Sequence, residues 1–433
     1  MAFNKPVLQV ALDFVDLSRA MKLLDETVVG GVDWIEIGTP LVKSEGLSII
    51  RTLKKKFPDH TFLADMKTMD AGTVEVEIAA KAGANIVIIL GVADDSTIRE
   101  AVEAAKCYGA KIMADLINID DMVTRSVELE KLGVDYICVH VGIDQQMRGM
   151  DPLDVLKKVV EVVHVPVAVA GGINSETAAK CVESGASILI VGGAITKAEN
   201  AKKATQTIKK SMLTGKPIAT NLYKKYHESE LYDVFMKVST PNISDAMHRK
   251  GEMLGIKPVT KGLKAVGKAL TVRTFSGDWA KPVEAIDLAT PENVIVIDVA
   301  KADKAVWGEL ATLSCLQKKV NGVVIDGAIR DIDDIRALGF PSFSRTITPT
   351  AGDPKGFGEI NVEIKCGGVT VRPDDWIIAD DNGVVVVPKE TAVEIANRAM
   401  DVFEKEKRIK GEINQGSTLS KVLQLKKWEK VVG

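Results

Sequence analysis

The chain has 433 residues, of which 46% are hydrophobic and 27% charged, a balance typical of a globular protein with two domains of roughly 200 residues each. A net charge of −3 gives no reason to expect a nucleic-acid partner. The sequence shows no signal peptide, no apolar run of the roughly 20 residues that a membrane span needs, and five scattered cysteines without a Cys-x-x-Cys pair, so we expect a cytoplasmic protein with reduced thiols and no membrane partner.

Short β-branched runs alternate with amphipathic stretches from residue 7 to about residue 193. Strands that alternate with helices are typical of βαβ units, and eight of them predict a closed parallel (β/α)8 TIM barrel within an α/β protein. The predicted strands are residues 7–12, 34–37, 61–65, 86–90, 111–116, 136–141, 166–170 and 188–191.

A glycine recurs about every 50 residues before each even-numbered strand, at Gly31, Gly83, Gly133 and Gly185. Glycine is the residue expected just past a helix C-terminus, where φ is positive. The repeat therefore supports the barrel through helix capping and carries no chemistry.

The third predicted strand leads into the richest cluster of charges, Asp65, Lys67 and Asp70. On a regular strand Asp65 and Lys67 point to the same face, and Asp70 lies in the following loop. Interleaved opposite charges hold one another ionised and can bind a metal, a sugar phosphate or a developing enolate. The alternative is a solvated turn with an incidental ion pair.

Other strands also end in ionisable residues: Asp13, Glu36, Asp115 and His140. The C-terminal strand ends of a TIM barrel form its active face, and buried charges are unfavourable unless they are used. These residues therefore predict an active site at one rim. Two alternatives stay open, since Asp13 could cap the next helix and Glu36 could lie in a surface turn.

The last two predicted strands end in glycine pairs, Gly171-Gly172 and Gly192-Gly193. Glycines at these positions let backbone N–H groups approach a phosphate. Two pairs at equivalent positions on neighbouring strands predict a phosphorylated small molecule as substrate.

Residues 5–210 resemble the orotidine 5′-monophosphate decarboxylase suprafamily through Asp65-x-Lys67-x-x-Asp70, Asp13 and the glycine pairs. Glu36 is similar to the glutamate of the metal-dependent branch, which holds the 3-keto-L-gulonate 6-phosphate decarboxylases and the 3-hexulose-6-phosphate synthases. Ile143 stands where the decarboxylases carry an arginine, and the residues around Asp115 and His140 resemble the synthases. The decarboxylase remains the alternative.

The resemblance implies condensation of formaldehyde with D-ribulose 5-phosphate. Glu36 and Asp65 would then hold Mg²⁺ or Mn²⁺, Lys67 would stabilise an enediolate, and His140 would be the general base. It also implies a homodimer in which Asp70 reaches across from the neighbouring subunit to orient Lys67. Asp13 is counted among the catalytic residues, and Asp115 with Gly171, Gly172, Gly192 and Gly193 among those that bind substrate.

The barrel pattern ends near residue 210, and residues 211–228, with a Gly–Pro break, are read as a linker. Residues 229–433 are predicted to form a second domain. A helix begins at the capping residue Ser239, strands follow at 265–274, 294–298, 322–325 and 383–388, and the final forty or so residues form a charged amphipathic helix.

Two polar clusters mark this second half. Residues 303–310 form a glycine turn that enters a helix, which is a plausible anion site. Arg330 and Asp331 follow a strand and its loop, where arginine can clamp a carboxylate and aspartate can bind a divalent metal. A surface ion pair is the alternative.

Residues 229–400 resemble the family of the regulator of ribonuclease E activity and the class II 4-hydroxy-4-methyl-2-oxoglutarate aldolases. The aldolases carry an acidic residue, twenty intervening positions and then Arg-Asp, which Glu309, Arg330 and Asp331 satisfy. The resemblance implies a swivelling β/α fold, usually trimeric, in which Asp331 binds the metal, Glu309 acts through its water shell, and Arg330 with the backbone of Leu310 holds a 2-oxo acid.

Three functions follow from these patterns. The first is a bifunctional, homo-oligomeric carbon–carbon lyase. The second is a lyase whose second domain is a non-catalytic regulatory or protein-binding module. The third is a barrel without catalysis.

Overall fold

The structure is a computed structural model that describes residues 5–148, 151–220, 222–423 and 425. Two compact units divide the chain: residues up to Lys225 together with those from Glu404 onward, and Tyr226–Phe403. We call them the barrel unit and the second unit. This division differs from the predicted domains, because a barrel-unit helix continues through residue 214 and the residues from Glu404 onward belong to the barrel unit.

Eight parallel strands close the barrel in sequence order, with β1 paired to β8, which confirms the predicted TIM barrel. The strands are β1 (Val7–Leu12), β2 (Trp34–Ile37), β3 (Thr61–Thr68), β4 (Ile86–Leu90), β5 (Lys111–Asp115), β6 (Tyr136–His140), β7 (Val167–Ala170) and β8 (Ile188–Val191).

Helices follow the strands around the barrel. They are α1 (Leu17–Gly30), α2 (Thr39–Glu45), α3 (Ser48–Lys56), α4 (Gly72–Ala82), α5 (Asp95–Tyr108), α6 (Met122–Leu132), α7 (Ile143–Met147), α8 (Leu153–Val162), α9 (Ala178–Glu183), α10 (Gly193–Thr196) and α11 (Ala201–Thr214). The four repeated glycines have φ between 92° and 111° at helix ends, so the capping interpretation is confirmed.

The barrel strands are buried on both faces, because one face meets the helices and the other fills the barrel. In β1, Leu8, Val10 and Leu12 pack against the helices, while Val7 and Ala11 lie in the inner cluster. Gln9 shares the inward alternation and is fully buried. A polar residue therefore faces the barrel interior below the strand ends.

The second unit is built on a mixed sheet in the order β18-β17-β10-β11-β12-β13-β9, with β14 paired to β10 and a separate β15–β16 hairpin. The strands from β10 to β13 are parallel. The strands are β9 (Lys257–Pro258), β10 (Ala265–Arg273), β11 (Asn293–Asp298), β12 (Gly322–Ile329), β13 (Ser342–Ile347), β14 (Glu359–Ile360), β15 (Ile364–Cys366), β16 (Val369–Val371), β17 (Trp376–Asp380) and β18 (Gly383–Val387).

The remaining helices include α13, which Ser239 caps by accepting a hydrogen bond from Asn242 N, as predicted. The boundary between the two units falls within α17. Within the described ranges, every helix is too short or too polar to cross a membrane. The helices are α12 (Leu231–Lys237), α13 (Thr240–Ala246), α14 (Ala280–Leu288), α15 (Glu309–Lys318), α16 (Ile332–Leu338), α17 (Ala392–Asn414) and α18 (Leu419–Leu423), with 3-10 turns at Glu228–Glu230 and Lys389–Thr391.

Candidate active site

Lys67 reaches the barrel mouth, the rim formed by the C-terminal strand ends, through an irregularity in β3. The pairing of β3 with β4 shifts register between Asp65 and Thr68, and Lys67 has a left-handed φ of 48°. A non-glycine residue in this region is strained, and bulges of this kind re-aim side chains at active sites. Simple strand alternation therefore does not explain why Lys67 lies beside Asp65.

The Lys67 ammonium bridges two buried carboxylates. Its Nζ lies 3.1 Å from Asp65 Oδ2 and 3.0 Å from Asp115 Oδ2, and Thr39 donates a hydrogen bond of 2.7 Å to Asp65 Oδ2. Burial opposes the charged form of Lys67, but Asp115 and Asp65 together raise its pKa above the usual value. A permanent positive charge thus stands at the centre of the mouth.

Asp115 also orients His140. The Nδ1 atom of His140 lies 2.9 Å from Asp115 Oδ2, and Ile117 N donates to the other carboxylate oxygen. Burial would raise the pKa of Asp115, but the charge and hydrogen bond of His140, followed by those of Lys67, lower it to about 2. An ionised Asp115 favours the proton on Nδ1 and leaves Nε2 able to accept one.

Glu36 and Asp13 are carboxyl groups whose ionised forms are disfavoured by their surroundings. Glu36 is 6% exposed in β2 and accepts a hydrogen bond of 2.5 Å from Gln9 Nε2. Burial, then Asp65 and Asp13, raise the pKa of Glu36 well above its usual value. Asp13 is accessible to solvent within the mouth. Desolvation by the surrounding protein, followed by the negative charge of Asp65, nevertheless raises its pKa.

Both open alternatives for these residues are now excluded. The residue that caps α1 is Asp16, whose side chain accepts from Arg19 N. Asp13 stands three positions before this cap. Its side chain lies instead against the turn after β2, where a Cβ added to Gly38 would overlap its Oδ1. Glu36 is buried within a strand rather than lying in a surface turn.

The donor set suits a hard divalent cation. Glu36, Asp65 and Asp13 offer carboxylate oxygens, which Mg²⁺ prefers. Burial, followed by the charges of Asp65 and Asp13, raises the pKa of Glu36, and a bound cation would offset these effects. The Gln9 Oε1 atom beside Glu36 is buried without a hydrogen-bond partner. The residues present therefore fit the predicted metal.

In the described part of the chain, one group of three donor side chains is close enough to share an ion, namely Asp115, Cys138 and His140. Burial, followed by Asp115, raises the pKa of the Cys138 thiol well above its usual value, so the thiol keeps its proton. Lys67 already holds Asp115. We interpret this group as a hydrogen-bonding network rather than a metal site.

The two glycine pairs lie at the same mouth. Gly171 and Gly172 have φ of 108° and 72°, and a Cβ at Gly171 would lie 2.5 Å from Val141 O. A Cβ at Gly192 would point toward Asp13 Oδ2, at 3.6 Å. Gly192 therefore borders a charged residue of the mouth, and both pairs follow strands that end there, where a phosphorylated molecule could be bound.

Asp70 is the predicted site residue that stands apart. It is exposed after β3, and its Oδ1 accepts from Ala71 N at 2.7 Å. The contacts of Lys67 within this chain are with Asp65 and Asp115 instead. A role for Asp70 in a neighbouring subunit stays a prediction.

The second unit has its own pocket, a cavity of about 440 Å³ lined by Leu310, Arg330, Asp331 and the apolar side chains of Trp279 and Val283. Arg330 Nε lies 3.4 Å from Asp331 Oδ2. Three of the four predicted residues are therefore brought together here.

The fourth residue, Glu309, joins this arrangement through its backbone. Its N–H donates to Asp331 Oδ2 at 3.3 Å, and its side chain is not among the described groups that line the cavity. Gly308 permits this contact, because a Cβ there would overlap Asp331 Oδ2. Asp331 itself has a left-handed φ of 56°, and such strain is common at functional sites.

Sequence reasoning missed three polar residues of the mouth: Gln9, Thr39 and Gln146. Gln9 had a signal, because it is polar within the otherwise apolar run of β1. Gln146 donates to Val141 O at 2.7 Å and borders Gly171 and Gly172. Gln146 and Thr39 lie in short helices after strands, where polar residues are too common to stand out.

Comparison with known proteins gives a match for each half. The family model for orotidine 5′-phosphate decarboxylase / HUMPS matches residues 6–208, and the RraA-like model, described as Aldolase/RraA, matches residues 240–386. Together the two matches cover both mouth and pocket.

Individual relatives match the barrel. The 3-hexulose-6-phosphate synthase of Bacillus subtilis is 44% identical over 206 residues, which are 46% of this chain and 98% of that protein. The synthase of Mycobacterium gastri is 43% identical over 202 residues, 47% of this chain and 97% of that protein. The crystal structure of the Salmonella typhimurium synthase is 40% identical with a TM-score of 0.47, and the match covers 48% of this chain and 99% of that one.

Proposed function

Since the chain belongs through its barrel to the orotidine 5′-phosphate decarboxylase / HUMPS family, we propose that the barrel condenses formaldehyde with D-ribulose 5-phosphate to 3-hexulose 6-phosphate. The relatives from Bacillus subtilis and Mycobacterium gastri, which share its barrel over 98% and 97% of their length, are named as synthases of this product, and the chain is an enzyme of that lyase class. The observation that carries the proposal is the chain of contacts from Lys67 through Asp115 to His140.

His140 is the proposed general base. Asp115 accepts from Nδ1, so Nε2 can take a proton from C1 of ribulose 5-phosphate. The resulting enediolate carbon attacks the formaldehyde carbon and forms the new C–C bond. The formaldehyde oxygen takes up a proton to become the C1 hydroxyl of the product, so the condensation leaves the protein unchanged. Asp115 stabilises the imidazolium in between.

Lys67 stabilises the negative charge that develops on the sugar oxygens. Its ammonium is fixed between Asp65 and Asp115, so it requires no rearrangement when the charge forms. Glu36 and Asp65 would hold Mg²⁺ or Mn²⁺, with Asp13 adjacent. Such an ion supplies Lewis-acid stabilisation of the same oxygens.

The test is formaldehyde consumption by the full chain. We expect it to require D-ribulose 5-phosphate and a divalent cation, and to fail with D-ribulose, which lacks the phosphate. Formaldehyde consumption that is equally fast without the sugar phosphate would contradict the proposal. Release of CO₂ from 3-keto-L-gulonate 6-phosphate would also contradict it, because that is the reaction of the alternative decarboxylase.

For the second unit we propose a metal-dependent aldolase or decarboxylase acting on a 2-oxo acid. Arg330, Asp331 and the residues Gly308 and Leu310 at the start of α15 line one cavity, and an arginine beside a helix start is suited to a carboxylate substrate. The full chain is expected to release pyruvate from 4-hydroxy-4-methyl-2-oxoglutarate or oxaloacetate, and Arg330→Ala to abolish this without changing formaldehyde consumption. No pyruvate from either acid would favour a non-catalytic regulatory module.

A further inference from the structure

The segment just after α11 returns to the barrel mouth. The ring of Tyr223 packs so closely on the β8 glycine turn that a Cβ at Gly193 would overlap it. Tyr223 has a left-handed φ of 54°, a strained conformation that the surroundings must stabilise. This residue lies beyond residues 6–208, where the family match ends.

Hydrogen bonds fix Tyr223 between the two glycine turns. Its hydroxyl donates to Gln146 Oε1 at 3.4 Å, and Gln146 borders Gly171 and Gly172. Its backbone N–H donates to Glu404 Oε1 at 3.1 Å, and its carbonyl accepts from Asn174 Nδ2 at 3.5 Å. The ring therefore connects the β8 turn to the surroundings of the β7 turn.

Two ammonium groups flank the ring. The Nζ atoms of Lys197 and Lys225 lie 4.8 and 4.2 Å from its centroid, within the range of cation–π attraction. The charge of Lys197 also partly opposes the rise in the pKa of Asp13, so it is felt inside the mouth. The glycine turns thus have positive charge beside them, held in place by an aromatic ring.

We propose that Lys197, Tyr223 and Lys225 form a cationic wall of the sugar-phosphate site and contribute to binding of the phosphate group. The inference rests on the proposed sugar-phosphate substrate. Backbone N–H groups alone leave a phosphate dianion without a full positive charge, which the two lysines supply. The phosphate is remote from the reacting carbon, so the wall acts on substrate binding rather than on the chemical step.

The test uses Lys197→Met, Lys225→Met and Tyr223→Ala in the full chain. Each is expected to raise KM for D-ribulose 5-phosphate by about five- to tenfold and to change kcat by less than about twofold. Tyr223→Phe keeps the ring and should retain most of the affinity. A fall in kcat with unchanged KM in the two lysine variants would overturn the proposal. An unchanged KM in Lys197→Met, Lys225→Met and Tyr223→Ala would also overturn it.

A matched control is available within the same unit. Tyr108 is an exposed tyrosine with the Nζ of Lys81 at 5.1 Å from its ring. It ends α5 and leads into the start of β5, at the opposite end of the barrel from the mouth. Tyr108→Ala should leave KM and kcat unchanged.

Calorimetric titration with inorganic phosphate separates this proposal from the proposed function. If the unmodified chain fails to condense formaldehyde, the function is contradicted, but phosphate binding that is weakened by Lys197→Met and not by Tyr108→Ala would still support the wall. Equal phosphate affinity in the unmodified chain and all wall variants would contradict it.

Discussion

Charge at the barrel mouth is compensated unevenly. Lys67 contacts Asp65 and Asp115, whereas burial, followed by the charge of Asp65, raises the pKa of both Glu36 and Asp13. A proton and a divalent cation therefore compete for Glu36, because only its ionised form binds a metal.

This competition predicts how activity depends on pH. A raised pKa means that Glu36 takes up its proton at a higher pH than an ordinary glutamate does as the pH falls, and protonation empties the proposed metal site. Increasing the Mg²⁺ concentration should therefore move the acid limb of the rate profile to lower pH, by about one unit per tenfold until saturation. Asp115, with a pKa of about 2, should not contribute to this limb. A limb that does not respond to Mg²⁺ would contradict the assignment.

His140 carries a second prediction at the residue scale. His140→Asn keeps a hydrogen-bond donor near Asp115 but cannot accept the C1 proton. Exchange of the C1 hydrogen of ribulose 5-phosphate with D₂O, followed by NMR, should fall by about 10²-fold or more while sugar-phosphate binding changes little.

The control for this experiment is His164→Asn, since the side chain of His164 is 95% exposed on the barrel surface. It should exchange at the normal rate. Full exchange in His140→Asn would remove His140 from the role of base.

The residues of the mouth could be predicted because strand ends in a barrel converge by topology alone. Asp65, Lys67, Asp115 and His140 meet for this reason. Partners such as Gln9 and Thr39 depend on side-chain packing across neighbouring strands, which the sequence pattern does not reveal.

At the scale of elements, most strand bounds of the barrel could be read from apolar runs and glycine caps, whereas β9 and β13 to β17 of the second unit are not among the predicted strands. Two exceptions have functional weight: β3 extends to Thr68 and β12 extends to Ile329, each through a register shift. Thr68 is buried and donates to Glu75 at 2.5 Å. A bulge leaves no periodic signal, so the sequence indicated the correct pair, Asp65 and Lys67, through strand alternation that the structure does not follow.

Helix capping gives a prediction about stability. Gly133 has φ of 95° after α6, so Gly133→Ala should lower the free energy of unfolding by about 1 kcal/mol. Gly411 lies inside α17 with open space around it and no positive φ, so Gly411→Ala should stabilise by about 0.5–1 kcal/mol. Opposite shifts in the midpoint of thermal unfolding are expected, and shifts of equal sign would contradict the capping role.

At the scale of the whole molecule, the chain joins a family barrel to a second unit that the RraA-like model matches over residues 240–386, and the sequence located the limits of the two units only in part. The predicted boundary at residue 210 falls inside α11, which ends at Thr214. The residues from Glu404 onward belong to the barrel unit, where Arg408 contacts Glu26 and Ala198 O. Such long-range contacts have no local pattern, so the sequence predicts a charged amphipathic helix here but not its place in the barrel unit.

The predicted dimer can be tested by mixing inactive variants. If Asp70 acts in the neighbouring barrel, a mixed dimer of Asp70→Ala and His140→Asn contains one complete site, because the Asp70→Ala barrel keeps His140 and receives Asp70 from its partner. Refolded mixtures should recover up to about a quarter of the unmodified activity, on the expectation of random pairing.

The control mixture is Asp65→Asn with His140→Asn, whose defects lie in the same barrel mouth, so every mixed site lacks one group and no activity should return. Absence of recovery in the first mixture would contradict a role for Asp70 across subunits.

The most direct measurement follows ¹³C-labelled formaldehyde by NMR in the presence of the full chain, D-ribulose 5-phosphate and Mg²⁺. The proposed aldol condensation predicts that the label appears at C1 of a hexulose 6-phosphate, and that His140→Asn and Lys67→Met prevent its appearance. Label that stays in free formaldehyde under all these conditions, with no formaldehyde released from the hexulose phosphate in the reverse direction, would contradict it.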